Sequence, residues 1–84
     1  MKSFTSRRFR EMYASLPKDV QLHAHRAFRL FRQNPFRPGL RFKMVDAETR
    51  MYSARVGLGY RALGLMEGDD IVWVSGRMRN TTKP

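Results

Sequence analysis

MYSARVGLGYRALGL, residues 51–65, is the stretch of sequence that decides the fold. In residues 51–56, tyrosine, alanine and valine alternate with methionine, serine and arginine, which is the period of a strand with two different faces. The segment 57–59 is a tight glycine-bearing connection, after which an extended apolar run resumes. The stretch therefore predicts a β-hairpin. Its two arginines, Arg55 and Arg61, flank the turn, and we interpret the hairpin as the floor of a basic, phosphate-binding surface.

Length and composition predict one small folded domain. The chain has 84 residues, of which 42% are hydrophobic and 12% aromatic, and this composition argues against disorder. It has no apolar run long enough to predict a membrane span and no apolar N-terminal segment typical of a secretory signal. The absence of cysteine excludes disulfides, thiolate metal sites and a cysteine nucleophile. We expect a cytoplasmic protein without a cofactor or a membrane partner.

The charge is strongly basic. Seventeen lysines and arginines face seven acidic residues, which gives a formal net charge of +10, and thirteen of the seventeen are arginine. Arginine offers a planar fork that binds phosphate with two hydrogen bonds and can stack on bases. A nucleic acid or an acidic protein would suit such a surface, and a merely solvated basic surface is the alternative.

Two amphipathic helices precede the strands. Ser6 is a suitable N-cap for a first helix of roughly ten residues, and apolar side chains follow at helical spacing. Pro17 interrupts this helix and fits the first turn of a second one, which Asp19 favours and which ends near Gln33. We expect an αα-hairpin. His23 and His25 point in different directions on the second helix, so no metal site is predicted.

The remaining sequence predicts further strands. Residues 40–45 alternate and predict a strand with Arg41 and Lys43 on one face, and residues 71–74 predict a buried strand. Residues 75–84 are polar and predict a disordered or aberrant basic tail. The fold class is therefore α+β: an N-terminal αα-hairpin packed on one face of a small, twisted, mainly antiparallel sheet of four to five strands, the fifth being a short strand within residues 2–5.

Strand parity predicts where the cations lie. If the basic faces of the two strands coincide, Arg41, Lys43 and Arg55 line the side of the sheet away from the helices. Arg61 shares parity with Leu63 and Leu65, so it needs either a strand-end position or a nearby bulge to join them. Such cations can bind RNA phosphates and can stabilise the extra negative charge of a phosphorane during RNA cleavage. Solvated strand arginines would explain the same pattern.

The order of these segments resembles a known family. Two helices, the turn NPFRPGL, the hairpin YSARVGLGYRALG and a final IVW strand resemble the RelE/ParE superfamily, whose members are toxins of bacterial type II toxin–antitoxin systems. The similarity covers about residues 9–73, and its most diagnostic part is Gly59-Tyr60-Arg61 with the preceding Tyr52-x-x-Arg55. It implies a single RelE-like domain over residues 1–84, with a cognate antitoxin as partner. It also implies an mRNA interferase, an endoribonuclease that cuts mRNA on the ribosome and inhibits translation.

The resemblance also implies site residues. Arg61 matches the arginine that contacts the scissile phosphate, and Arg55 matches a basic strand position. Ser53 stands where another RelE-type member has lysine, so that contact is missing. The implied catalytic residues are Arg55, Arg61 and Arg77. The predicted nucleic-acid-binding residues are Arg41, Lys43, Arg55, Tyr60, Arg61 and Arg79.

The C-terminal segment departs from the family. Similar members continue with a tract of the type Gly-Thr-His-Ala-Glu-Tyr-Asp, whereas residues 77–83 are Arg-Met-Arg-Asn-Thr-Thr-Lys. Codons for these residues exist that encode His-Ala-Glu-Tyr-Asp-Lys in another frame, so we hypothesise a frameshift from about Val74. Cleavage needs proton-transfer groups, and arginine stays protonated. We therefore expect weak or absent ribonuclease activity.

Two alternatives stay open. One is a ParE-like toxin that inhibits DNA gyrase by protein contact, which the poor acid–base inventory favours. The other is a nucleic-acid-binding module without catalysis. A truncated last strand would also leave an exposed sheet edge, through which a homodimer could form.

Overall fold

The computed structural model of the protein describes residues 1–57 and 59–78. One short strand and two helices come first, and four consecutive strands follow, each antiparallel to the next. The elements in chain order are β1 (Ser3–Thr5), α1 (Arg7–Ala14), α2 (Lys18–Gln33), a short 3-10 helix (Pro38–Leu40), β2 (Lys43–Asp46), β3 (Met51–Gly57), β4 (Tyr60–Glu67) and β5 (Asp70–Met78).

The two helices form the predicted αα-hairpin. The Ser6 side chain caps α1, because its Oγ accepts a hydrogen bond of 3.1 Å from the Phe9 N–H. Pro17 lies at the N-cap of α2, just ahead of the first turn in which it was predicted, and α2 ends at Gln33 as expected. The Tyr13 hydroxyl donates a 2.7 Å hydrogen bond to the Gln21 carbonyl and ties the helices together. Within residues 1–57 and 59–78, neither helix combines the length and apolarity needed to cross a bilayer.

The strands form one mixed sheet in the order β1-β5-β4-β3-β2. The pairs β2–β3, β3–β4 and β4–β5 are antiparallel, and β1 runs parallel to β5. Both helices pack on one face, α2 over β3 and α1 over β5. The predicted α+β architecture is confirmed, and so is the short N-terminal strand.

An aromatic cluster between the helices and the sheet forms the core. Trp73 on β5 is fully buried, and the ring centroids of Phe28 and Phe31 on α2 each lie 5.3 Å from it in edge-on geometry. Gly64 on β4 leaves room for this packing, because a Cβ there would lie 2.9 Å from the Trp73 ring and 2.8 Å from Ile71. The core therefore fixes the sheet face that the helices cover and leaves the opposite face free of them.

The strand predicted over residues 40–45 is wrong in its first half. Leu40 ends the 3-10 helix and is buried, and Arg41 follows it in the left-handed region with φ 47°. Only from Lys43 does the chain enter β2. The proline pair around Arg37 favours a tight turn, and this turn places Leu40 in the core in place of a strand position.

The last strand is longer than predicted. β5 extends from Asp70 to Met78, and residues 75–78 pair in register with β4, so a tail beginning at Ser75 is wrong for these four residues. Backbone hydrogen bonds with β4 stabilise this extension as a strand, although its polar sequence does not favour one. β1 pairs only with Ile71, Val72 and Trp73 of β5, so among the described residues the sheet edges are β2, β1 and the outer side of β5 beyond Trp73. Residues 79–84, the rest of the predicted tail, lie outside the described residues.

Candidate nucleic-acid interface

Three arginines line up across three neighbouring strands. Arg61 on β4 is directly opposite Arg55 on β3 and directly opposite Arg77 on β5. All three are exposed. Paired residues of adjacent strands project from the same face, and strands lie about 4.8 Å apart, so the three side chains leave the sheet side by side. We call Arg55, Arg61 and Arg77 the arginine row.

The arginine row lies on the face that the helices do not cover. Val56 and Ala62, the neighbours of Arg55 and Arg61 along the strands, are buried under the helices, and side chains alternate along a strand. Leu63 is only partly buried, because it faces outward beside Arg61. Arg61 therefore keeps the outward parity that it shares with Leu63. The register of β3 and β4 shifts only between Arg55 and Gly57, beyond this point. We call this side of the sheet the open face.

The open face changes character along the strands. Beside the arginine row lies the cross-strand row Lys43, Ser53, Leu63 and Ser75. The next row is apolar and consists of Met51, Leu65, Val72 and Phe4. Phe4 is 50% exposed. The open face is therefore basic near the β3–β4 turn and apolar at its other end.

The structure separates three predicted site residues from this surface. Arg41 is exposed but precedes β2 in a left-handed turn, so it does not share the strand face of Lys43. Tyr60 is 2% exposed and lies on the helix side, because strand alternation points it away from Arg61. It is therefore not available to contact nucleic acid, contrary to prediction. Arg79 lies outside the described residues.

Tyr60 is a core residue with an unusual environment. Its hydroxyl lies against the backbone of Gly76 on β5, where a Cβ would collide with it. Among the described residues, no protein group forms a hydrogen bond with this hydroxyl. Burial, and secondarily the nearby Tyr13, raise the pKa of Tyr60 above its ordinary value. Tyr60 is therefore a poor proton acceptor and is remote from the open face.

Tyr52 is also a packing residue. It is partly buried, and its ring stacks on that of Phe42 with a centroid distance of 4.9 Å. Tyr52 therefore packs against the core. Neither tyrosine of the hairpin therefore lies beside the arginine row.

The arginine row can bind and polarise an anion. Fixed cations aimed at one position can stabilise the charge that develops there. The carboxylates on the open face lie at its far end, with Asp46 opposite Met51 and Glu67 opposite Asp70. In residues 1–57 and 59–78, no group of three or more histidine, aspartate or glutamate side chains is placed to hold a metal ion. The described part of this surface therefore supplies charge but no proton-transfer group beside the row.

The sequence indicated the face that Arg61 shares with the two leucines, but it did not indicate the face of Arg77. The parity that Arg61 shares with Leu63 and Leu65 indicates that the leucines face outward with it. The position of Arg77 carried no such signal, because its polar neighbours do not alternate in hydropathy and only pairing with β4 defines its face.

Comparison with known proteins identifies the fold. The sequence matches no protein-family model and no curated protein sequence. The structure is similar to the YoeB/ParE toxin from Agrobacterium tumefaciens, with 13% sequence identity, a TM-score of 0.70, and coverage of 95% of this chain and 100% of that chain. A chain of the archaeal RelE-RelB complex from Pyrococcus horikoshii OT3 matches with 17% identity, a TM-score of 0.69, and coverage of 96% and 97%.

A third solved structure agrees. The YoeB dimer from Staphylococcus aureus has 13% identity, a TM-score of 0.67, and coverage of 98% of both chains. The three similarities span nearly the whole of each chain, so they concern the complete arrangement of helices and sheet. At these identities they establish the fold and not the chemistry. The chain therefore has the RelE-like fold of the YoeB, RelE and ParE toxins.

Proposed function

We propose that this chain is a toxin of the RelE/ParE type that acts in the cytoplasm and binds RNA phosphates with the arginine row. The observation that carries the proposal is the register that places Arg61 between Arg55 and Arg77. Like charges directly opposite one another destabilise a sheet. A polyanion bound across the three side chains offsets that cost, and it supplies the acceptors that guanidinium groups bind best.

The proposal separates RNA binding from RNA cleavage. Cleavage through the 2′-hydroxyl requires one group to remove its proton and another to protonate the leaving oxygen. Arginine cannot serve as the base at neutral pH, and the buried Tyr60 is on the other face. We therefore expect weak or absent mRNA interferase activity. The hypothesis of a frameshift from about Val74 explains how proton-transfer groups could have been lost, and the DNA sequence of the gene tests it.

A ParE-like inhibitor of DNA gyrase is the second candidate. It needs a protein contact surface and no proton-transfer group, and the apolar end of the open face around Leu65 and Val72 is suited to such a contact. The two candidates differ in a direct assay. A toxin that acts on mRNA yields ribosome-dependent cleavage products, and a gyrase inhibitor blocks DNA supercoiling without them. A nucleic-acid-binding module without toxicity does neither.

The partners follow from the same proposal. One neighbouring structure is a RelE-RelB complex and another is a YoeB dimer. We infer a cognate antitoxin for this chain, whose acidic segment covers the basic surface, and a homodimer through an exposed sheet edge. Co-purification with the product of the neighbouring gene tests the first inference. A short acidic protein that binds tightly is the expected result.

Growth after induced expression in bacteria tests the toxin assignment. The Arg61→Ala variant removes the centre of the arginine row, and the matched control Arg29→Ala removes an exposed arginine of α2. A growth defect that the Arg61→Ala variant loses and the control retains supports a toxin acting through the open face. Strong arrest with ribosome-dependent cleavage, lost in Arg61→Ala, would overturn the expectation of weak ribonuclease activity. Equal behaviour of both variants would contradict the proposed site.

A further inference from the structure

A cavity of about 450 Å³ lies on the helix side of the sheet, which is the face that does not carry the arginine row. Side chains of β1, α1, α2 and β5 line it. Its volume lies within the range of about 300–1,000 Å³ that is typical of small-molecule sites. The proposed RNA-binding function does not use this cavity.

The floor of the cavity is aromatic and preformed. Phe9 and Trp73 are buried, and Phe28 packs edge-on against both, with centroid distances of 5.8 Å and 5.3 Å. The Trp73 Nε1–H donates a 2.7 Å hydrogen bond to the Ser3 Oγ, so its polar group is already satisfied. Trp73 and Phe9 are themselves covered, so among these three rings the surface left to a ligand is that of the partly buried Phe28, which favours an apolar group.

The rim of the cavity is cationic. Arg10 on α1 is held in place, because its Nη1 donates hydrogen bonds to the Thr5 carbonyl at 2.7 Å and to the Thr5 Oγ1 at 3.2 Å. His25 and Arg32 border the cavity from α2, and both are exposed. In the part of the chain that the structure describes, Arg10 and Arg32 make no ion pair, and no acidic residue lines the cavity. The positive charge at the rim is thus uncompensated.

We propose that this cavity binds a small amphipathic carboxylate, such as a medium-chain fatty acid or an aryl-alkanoic acid. The apolar body packs on Phe28, which itself packs on the buried Phe9 and Trp73, and this removes hydrocarbon from water. The carboxylate lies at the rim, where Arg32 and the free N–H groups of Arg10 offer charge-assisted hydrogen bonds. His25 can donate one more hydrogen bond through its imidazole.

Trp73 provides the measurement. It is the single tryptophan of the chain and lies on the floor of the cavity, so its fluorescence reports occupancy. Titration of the purified protein with decanoate should give a saturable change in tryptophan emission. Decanol, which has the same chain without the charge, should bind about tenfold more weakly because it lacks the charge-assisted hydrogen bonds.

Matched variants locate the site. Arg32→Gln should weaken decanoate binding about five- to tenfold. Arg29→Gln removes the same charge from the same helix, outside the residues that line the cavity, and should leave the affinity unchanged. Far-ultraviolet circular dichroism confirms that both variants fold, and calorimetry of the wild type gives an independent dissociation constant. Arg61→Gln should also leave decanoate binding unchanged, so failure here is distinguishable from failure of the RNA proposal.

Three results of the ligand titrations would overturn the proposal. They are a decanoate titration without saturation, equal affinities for decanoate and decanol, and equal losses in Arg32→Gln and Arg29→Gln. A single-stranded RNA oligonucleotide provides the last arm. If it displaces decanoate, the cationic rim belongs to a nucleic-acid surface and the carboxylate site is wrong. Decanoate binding that RNA leaves unchanged is the expected result.

Discussion

Arg55 and Arg61 lie directly opposite each other across β3 and β4, with both side chains on the open face. Arg77 extends the same row on β5. Most cross-strand pairs stabilise a sheet, whereas opposed like charges destabilise it. The sheet core around Val56 and Ala62 therefore supports a surface arrangement that is unfavourable in the absence of an anion.

Arg61→Gln should raise stability at low salt. Removing the central charge relieves repulsion from both neighbours, and we expect a gain of about 0.5 kcal/mol in the free energy of unfolding. Salt screens exposed charges, so the difference from the wild type should shrink as ionic strength rises. Urea unfolding at low and high salt measures this. The same gain in Arg29→Gln, which changes net charge equally, would show that total charge and not the row is responsible.

Gly76→Ala should destabilise the protein by about 2 kcal/mol, because the added methyl group overpacks a buried contact. The new Cβ would collide with the Tyr60 hydroxyl and would lie 2.8 Å from the Tyr60 Cε1. Gly39→Ala is the matched control, since nothing lies within 4 Å of a Cβ at that position. Thermal or urea unfolding compares the two variants. A Gly76→Ala variant as stable as the control would contradict the described packing of Tyr60.

Tyr60→Phe should stabilise the protein by about 1 kcal/mol at neutral pH. The substitution removes a buried hydroxyl that forms no hydrogen bond with a protein group of the described residues. A loss of stability of similar size would instead indicate that the hydroxyl makes a favourable interaction.

The same variant should resist alkali better. Burial raises the pKa of Tyr60 in the folded state, so the unfolded chain ionises first as pH rises. The stability tied to the neutral form is present below about pH 10, the ordinary tyrosine pKa, and falls as pH rises through the higher folded value. Tyr13, whose pKa burial also raises, retains its own share of this dependence. Unfolding at pH values from 8 to about 11.5 should show a shallower decline for Tyr60→Phe.

The sequence predicted most of the fold because local signals agreed with tertiary packing. The Ser6 cap, the end of α2 at Gln33 and the hairpin turn all depend on residues close in sequence. The strand prediction for Leu40 and Arg41 failed because the burial of Leu40 and a proline-rich turn outweighed the strand-like alternation of the sequence. The prediction that Tyr60 binds nucleic acid failed because strand alternation places its side chain on the face away from Arg61.

The candidate site was predictable only in part. Arg55 and Arg61 lie in a hairpin whose register follows from a short turn. Arg77 lies on a strand whose polar end has no alternating pattern, so its alignment with Arg61 depends on pairing between β4 and β5. The cavity above Trp73 combines side chains of four separate elements, and no spacing along the chain indicates such a combination.

The affinity for single-stranded RNA tests the central claim most directly. The variant Arg55→Gln/Arg61→Gln/Arg77→Gln removes the arginine row, and Arg8→Gln/Arg26→Gln/Arg29→Gln removes three exposed charges from the helices. We predict that only the first loses at least tenfold in affinity. The slope of log K against log salt should fall by about 2 in that variant, because three phosphate contacts are lost. Equal losses in the two variants, or unchanged binding in the first, would contradict the assignment of RNA binding to the arginine row.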